Sequence, residues 1–484
     1  MTKLGWDGMS HNAPWFLFPA CLAMTFAATA EQYRIGSNRD LAEISESIKP
    51  GDTIILKDDT WHDEVLDIWA KGEPGKWITF RAETPGKVVL TGISGIHAAG
   101  AYVHITGLYF RNGAQRWRLV TLKGHHVRLS NTAVYGSKAD QWVYLDHGSR
   151  QVEVDHCRFE HKTGKGQLLT IRKHAPKEDA PNRHHIHHNH FKDVRDGKAN
   201  SWETMQLGQG YPDKLPCESI VEYNLFEHCD GEAEIISNKS DGNVYRYNVF
   251  DDCLGELVLR GGRGCRVIGN VFVGKFRKRQ GGIRISGNHH LIANNYIRGM
   301  NTAMVLSHGT EPGNQPYYPP VHDVDIACNT IVDCDVGMRF GRTEPWLLES
   351  EVDIPARDCR IVGNIFCLND SRSRVMASTR EAIRTTWSRN LLWNGALGDA
   401  PASDFIVKDP LLKPHRTGIL RPSRKSPARR AVRRGRLPVD RDIDRQRRPP
   451  TTDIGCDHRG GFFSRPGNIL SAKDVGVSWP IPED

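Results

Sequence analysis

An Asn-x-apolar signature recurs along this chain at Asn189-His-Phe191, Asn224-Leu-Phe226, Asn248-Val-Phe250, Asn270-Val-Phe272, Asn295-Tyr-Ile297, Asn329-Thr-Ile331, Asn364-Ile-Phe366 and Asn390-Leu-Leu392. The steps are 35, 24, 22, 25, 34, 35 and 26 residues. A base period of 22 to 26 with additions of about ten describes a solenoid whose coils are constant and whose loops vary. Weaker copies stand upstream at Leu108-Tyr-Phe110, Asn131-Thr-Ala133 and Cys157-Arg-Phe159.

Each copy is short, rich in β-branched and aromatic residues and punctuated by Gly, as in residues 243–250 and 282–287. That pattern reads as strands, and no window shows the 3.6-residue apolar period of a helical solenoid. The unit is too short for a βαβ crossover but accommodates three short strands. The expected fold is therefore all-β, a single-stranded right-handed parallel β-helix of about fourteen coils in which stacked Asn side chains bridge coil to coil. Asn38 is positioned to cap a short helix whose Leu41, Ile44 and Ile48 share a face before Pro50-Gly51 stops it. This helix is expected to cover the open N-terminal end, with strands following near residues 53–56, 77–81 and 88–90.

The hydrophobic fraction of 38% with 46 Gly suits a narrow core shared by many turns. Residues 1–30 hold a short apolar run ending in Ala28-Thr-Ala30, which reads as a secretory signal peptide, so the mature protein is expected to be secreted or periplasmic. No later stretch is long or apolar enough for a transmembrane segment. The β-helix domain is expected over 31–415, and 416–484 as an Arg-rich segment supplying the last coil and cap. Residues 416–448 carry twelve Arg and Lys425 against three Asp, so the net charge of +8 belongs to this stretch and the remainder is slightly acidic. We read the arginines as part of a closing segment, with no nucleic acid partner.

No Cys-x-x-Cys pair of zinc-site spacing occurs among the 11 Cys. Cys229, Cys253 and Cys334 each lie five residues after a ladder Asn, which places Cys229 and Cys253 on consecutive coils as a disulfide or as a ladder of buried thiols. The run Asn182-Arg-His-His-Ile-His-His-Asn-His190 invites a metal reading. In register it falls on the strand and turn before Phe191, where alternate rings face opposite ways, and it reads as a mostly solvated face.

The residues that carry chemistry share a place in the repeat. Asn200 lies eleven residues after its ladder Asn; Glu232, Glu234 and Lys239 lie eight, ten and fifteen after theirs; Arg260 lies twelve and Arg284 fourteen. All follow the same turn in successive coils, so they converge on one sheet and its edge. Two carboxylates at i and i+2 on a strand share a face and suit a hard cation such as calcium. This set matches β-elimination from a uronate. A cation on Asn200, Glu232 and Glu234 would offset the substrate carboxylate as the C5 proton departs. Lys239 is then the candidate base and Arg260 the group that meets charge developing on O4. Arg284, one coil further, is a candidate substrate-binding residue placed to pair with a carboxylate.

At these positions the chain resembles polysaccharide lyase family 6, the alginate lyases and chondroitinase B. The motifs are Asn200 through Gly208, Glu232-Ala-Glu-Ile-Ile-Ser-Asn-Lys-Ser240, Leu259-Arg-Gly261 and Gly281-Gly-Ile-Arg-Ile-Ser-Gly287, with Lys49-Pro-Gly-Asp-Thr-Ile-Ile-Leu56 similar to the first coil of that family. The likeness spans roughly residues 33–400. It implies that Asn200, Glu232 and Glu234 hold Ca2+, that Lys239 is the base and Arg260 the acid, and that the partner is an anionic polysaccharide. Alginate is preferred over dermatan or chondroitin sulfate.

The chain departs from the family at the cleft. Gly261 stands where His often follows the acid Arg, Ser201-Trp202 replace a common Gly-Gly, and Gln206 takes an Arg position. Loops holding Tyr317-Tyr318 and Trp346 are placed either to stack on sugars or to shield the cleft edge. Two other classes keep part of this pattern. A non-catalytic glycan-binding β-helix has no reason to set Lys239 beside two glutamates. A β-helix hydrolase or epimerase would rely on paired Asp or Asp/His residues.

Overall fold

The structure is a computed structural model that describes residues 30–173, 180–195, 200–209, 215–310, 318–341, 354–379, 382–459 and 469–481. The proposed signal segment, apart from Ala30, lies outside the described residues, as do Tyr317 and Trp346.

The repeat closes into a parallel β-helix. Each regular coil has three strands, for example Ile220–Glu222, Leu225–Cys229 and Glu234–Asn238, and each pairs in parallel with its counterpart one coil on. The middle strands form one 14-stranded sheet. The other two strand positions merge into a 25-stranded sheet because Gly95–Thr106 and Arg118–Ser130 run through both without a break.

The ladder asparagines hold the corner between the first two strands. The residue before each is left-handed: His188, Tyr223, Tyr247, Gly269, Asn294, Cys328, Gly363 and Arg389 all have φ between 47° and 68°. A single residue of that hand turns the chain sharply and presents the next side chain inward. Asn189, Asn224, Asn248, Asn270, Asn295, Asn329, Asn364 and Asn390 are all fully buried. Each but the last donates from Nδ2 to Oδ1 of the next at 2.9–3.0 Å, and each also donates to a backbone carbonyl. At roughly 1 kcal/mol net per bond, this spine fixes the register of every coil.

Two residues on, Phe159, Phe191, Phe226, Phe250 and Phe272 stack with centroids 4.5–5.3 Å apart, the spacing of neighbouring strands. The upstream copies fit with one correction. Thr132, not Asn131, occupies the ladder position, because Asn131 is itself the left-handed corner residue and Ala133 pairs with Arg158.

At the N-terminus the helix Asn38–Ile44 covers the first coil with Leu41 buried and Ile44 and Ile48 packed against the core. Its cap is Ser37, whose extended backbone lets Oγ accept the Asp40 N–H at 3.2 Å. Asn38 is already inside the first turn. The described cysteines are free thiols, nearly all buried, and Cys229 N–H donates to Cys253 Sγ at 3.3 Å, so these two form the thiol ladder and not a disulfide.

After the strand Phe405–Val407 the chain takes another course. It forms two antiparallel pairs, Leu412–Pro414 with Leu420–Pro422 and Val432–Arg433 with Thr451–Thr452, and then runs back along the asparagine corner. Leu420 N–H donates to Tyr296 Oη, Cys456 N–H to Thr330 Oγ1, Gly476 N–H to the His188 carbonyl and Trp479 Nε1 to the Asn131 carbonyl. Two of the arginines are built into this segment. Arg448 is fully buried on the carbonyls of Asp453 and Gly455 and on Asn294 Oδ1, and Arg421 pairs with Asp444 and Asp457. No helix among the described residues is long and apolar enough to cross a membrane.

Candidate active site

The third strand of successive coils presents the site. Glu234–Asn238 lies between Met205–Leu207 and Gly255–Leu259, and Gln280–Ile285 follows. Register therefore sets Glu234 opposite Glu256 and brings Lys239 and Arg260, each one residue past paired strand ends, to the same edge. Glu232 is in the turn before the strand, and a register shift between Glu234 and Ile236 buries both Ile235 and Ile236. The two glutamates thus converge through a turn and a bulge, where a regular i, i+2 strand was expected. Gly231 makes the approach feasible: a Cβ there would lie 2.1 Å from the Trp202 carbonyl oxygen.

Three carboxylates meet. Oxygens of Glu203, Glu232 and Glu234 lie within 4.8 Å of one another. Glu203 was not assigned as a site residue from the sequence. It sits two residues before a strand whose Met205 pairs with Ile236, which sets Glu203 level with Glu234. Its Oε2 accepts from Gln167 Nε2 at 3.1 Å, and its Oε1 lies 3.7 Å from Lys239 Nζ. Asn200 is exposed in the turn three residues before Glu203 and makes no hydrogen bond to the cluster among the described residues. Ser201, where the resembled family commonly has Gly, holds φ at 76°.

The cations gather on Glu234. Its Oε1 accepts from Arg284 at 3.1 Å and Arg260 at 3.4 Å, and Arg284 Nε also lies 3.3 Å from Glu256 Oε2. Arg284 is thus committed mainly to carboxylates of the cluster, its side chain only 11% exposed. Arg260 is more open at 27% and sits 5.2 Å from the Tyr318 ring centroid, so Tyr318 closes over the arginine.

Two signs mark the cluster as short of positive charge. Among the described residues Glu234 Oε2 is buried without a hydrogen-bond partner. Burial would raise the Glu234 carboxyl, but Arg284 and Arg260 outweigh it and hold it below the usual carboxylate range. Glu232 has no such relief: burial, then Glu203 and Glu234, push it up to about 8 against the pull of Lys239 and Arg260. An all-oxygen donor set with one orphaned buried oxygen and one carboxyl too crowded to ionise freely fits a hard divalent cation.

A family model described as chondroitinase B matches residues 35–428. The chain belongs to the chondroitinase B family. Among solved structures, the family 6 alginate lyase AlyGC superposes with a TM-score of 0.77 at 25% identity, covering 94% of this chain and 59% of that one. A mannuronic acid specific family 6 lyase from human gut microbiota gives 0.62 at 25% identity, covering 75% and 86%. A family 6 alginate lyase in complex with a trisaccharide gives 0.68 at 22% identity, covering 81% and 91%. The chain spans about three-fifths of the length of AlyGC. No curated protein matches its sequence. The chondroitinase B match covers every strand that carries the cluster and reaches into the Arg-rich strap.

The histidine run corrects the sequence reading. His184, His187 and His190 are buried at 1%, 9% and 2%, and His185 and His188 are half-buried. Two of the buried rings meet carboxylates, His187 on Glu153 and His190 on Glu227, while His184 Nδ1 accepts the Val152 N–H and its Nε2 is buried without a partner among the described residues.

Proposed function

We propose that this chain is an exported polysaccharide lyase that cleaves a uronate-containing polysaccharide, most readily alginate, by calcium-assisted β-elimination, leaving 4,5-unsaturated uronate ends. The observation that carries this reading is the meeting of Glu203, Glu232 and Glu234 within 4.8 Å, with Lys239 and Arg260 at the same edge. Asn200, Glu232 and Glu234 would hold calcium, with Glu203 beside them. Bound there, it would offset the substrate carboxylate and favour the aci-carboxylate form.

Lys239, in its unprotonated form, takes the C5 proton; Glu203 at 3.7 Å holds the amine at the sheet edge. The C5–H electron pair becomes the C4–C5 double bond, and the C4–O4 pair leaves with O4. Arg260, steadied by Glu234 and Tyr318, gives a proton to the departing O4 and regains one from solvent, while Lys239 releases the C5 proton to solvent. Arg284 holds Glu234 ionised and in place. Glu234, buried and bound by two arginines, is unsuited to act as a nucleophile, which speaks against glycoside hydrolysis.

The description of the matching family model supports a second substrate, dermatan sulfate, whose uronate would meet the same residues. Alginate is favoured because two neighbours at 25% identity are family 6 lyases, one an alginate lyase and the other specific for mannuronic acid. Incubating the protein with alginate and with dermatan sulfate, with and without chelator, tests the reading through the ultraviolet absorbance of the unsaturated uronate. Absorbance that rises with alginate and falls on chelation is expected. Silence on both polymers would sink the lyase reading, and new reducing ends without absorbance would mean hydrolysis.

A further inference from the structure

A second group of ligating side chains lies on a different strand position of the coils, independent of the lyase reading. His185 and His187 alternate on the strand His185–His187 and share a face, while Ile186 between them is fully buried. Glu153 pairs in register with His185 on the coil before, and Glu222 pairs with His187 on the coil after. His187 Nε2 lies 2.8 Å from Glu153 Oε1, and His185 Nε2 lies 2.8 Å from Glu222 Oε1. Ligand atoms of Glu153, His185 and His187 all fall within 4.8 Å of one another, and the two rings are 4.0 Å apart.

We infer that Glu153, His185, His187 and Glu222 form a binding site for a transition-metal dication of the zinc class. Two imidazoles with carboxylates suit zinc, copper or nickel and not calcium, which takes oxygen donors alone. Tetrahedral zinc at about 2.0–2.2 Å from N and O donors sets those donors roughly 3.3–3.5 Å apart. The His187 and Glu153 donors, 2.8 Å apart, therefore need to open by about 0.5 Å, and the remaining donors, all within 4.8 Å, to close by at most about 1.5 Å.

The surroundings supply the support that ligands require. Arg128 Nε lies 3.6 Å from Glu153 Oε2, and Arg246 Nε donates to Glu222 Oε2 at 2.5 Å, so each carboxylate is held by its far oxygen with the near one facing the imidazoles. His187 Nδ1 lies 2.8 Å from His188 Nδ1, and the His188 ring is itself stacked between His156 and Tyr223. That contact holds the His187 ring by its far nitrogen and turns Nε2 toward Glu153 and His185. The ion would tie together three consecutive coils.

The test uses the full-length, untagged chain, stripped with chelator and returned to excess calcium so that the oxygen cluster is occupied. Zinc titrated by calorimetry is expected to bind one ion per chain with a Kd below about 10 µM and to raise Tm. Cobalt in its place is expected to give the visible bands of a tetrahedral site. His185→Ala, at a ring whose side chain is 39% exposed, is expected to weaken zinc at least about tenfold without loss of fold, and Glu222→Gln to weaken it as well. Glu234→Gln is expected to leave zinc binding unchanged. Absence of zinc binding at 100-fold the expected Kd overturns the proposal, and so does zinc binding that His185→Ala and Glu222→Gln leave intact.

Discussion

Two rows of charge lie on different strands of the same solenoid and are built on opposite terms. In the histidine row every carboxylate oxygen has a partner: Glu222 has His185 on one oxygen and Arg246 on the other, and Glu153 has His187 and Arg128. In the carboxylate cluster Glu234 Oε2 has none, and Glu232 is pushed up to about 8 by burial and by the two glutamates beside it. The strand spacing is the same in both, although a register shift at Glu234 interrupts the second. The coil could neutralise Glu232 as it neutralises Glu222, with a cation one strand away, but instead leaves Glu232 crowded and the Glu234 Oε2 buried without a partner, the latter at a cost of about 1–3 kcal/mol. The difference teaches that a row whose carboxylates are already paired holds together without a ligand, and that an uncompensated carboxylate among cations marks a place that needs something else to complete it.

The strongest way to break that contrast is at Lys239. Lys239→Ala is expected to reduce turnover on alginate by about 10²–10⁴-fold, the range of a general base, while Tm moves little because the side chain lies at the sheet edge outside the core. Uronate absorbance and a thermal melt measure the two effects on the same sample. Near-normal turnover would remove Lys239 as the base and leave the cluster a structural ion network.

Next in size is an opposed dependence on pH. Glu222 is held at about 2, below its ordinary 4.5, so its contribution to stability is present above about pH 4.5 and lost as pH falls through 2. Glu232 is raised to about 8, so its contribution is present below about pH 4.5 and lost as pH rises through 8. Glu222→Gln is therefore expected to lower stability at neutral pH by roughly 1–3 kcal/mol. Glu232→Gln, in metal-free protein, is expected to be more stable than the parent at pH 8 and to lose that advantage near pH 5. Calcium should stabilise the parent at pH 8 and do little for Glu232→Gln. Urea melts from about pH 3 to about pH 8 decide it, and a Glu222 contribution that does not fall below pH 4.5, or a Glu232 contribution that does not fall above it, would erase the distinction between the rows.

The sequence reached the spine more easily than the site, for a physical reason. A ladder Asn recurs because its side chain bonds to the same atom one coil on, so spacing alone exposes it. The same spacing carried Glu232, Glu234, Lys239, Arg260 and Arg284 to one surface, since register is rigid once the ladder is set. Glu203 escaped because the step from Asn189 to Asn224 is 35 residues, and the extra loop conceals that Glu203 lies level with Glu234. Asn131 misled by identity: left-handed corners favour Asn, so the corner residue was mistaken for the ladder residue beside it. The histidines misled by polarity, since rings that look solvated in a sequence can be buried when the neighbouring coils supply carboxylates.

The smallest predicted effect falls between the two rows and decides to which kind Glu203 belongs. Gln167 Nε2 donates to Glu203 Oε2 at 3.1 Å, Gln167 Oε1 accepts from Gln141 at 3.4 Å, and Gln141 accepts from Arg118 at 3.4 Å, a polar line running three coils away from the cluster. If Glu203 belongs to the cation set, Gln167 orients a ligand. Gln167→Leu should then weaken calcium binding by about fivefold, the equivalent of one hydrogen bond of roughly 1 kcal/mol, with kcat at saturating calcium nearly unchanged. If Glu203 serves only to hold Lys239, calcium affinity stays constant and the loss appears in kcat, because the amine loses its fixed partner. Calcium titration by calorimetry beside steady-state kinetics separates these outcomes, and the second would return the cation set to Asn200, Glu232 and Glu234.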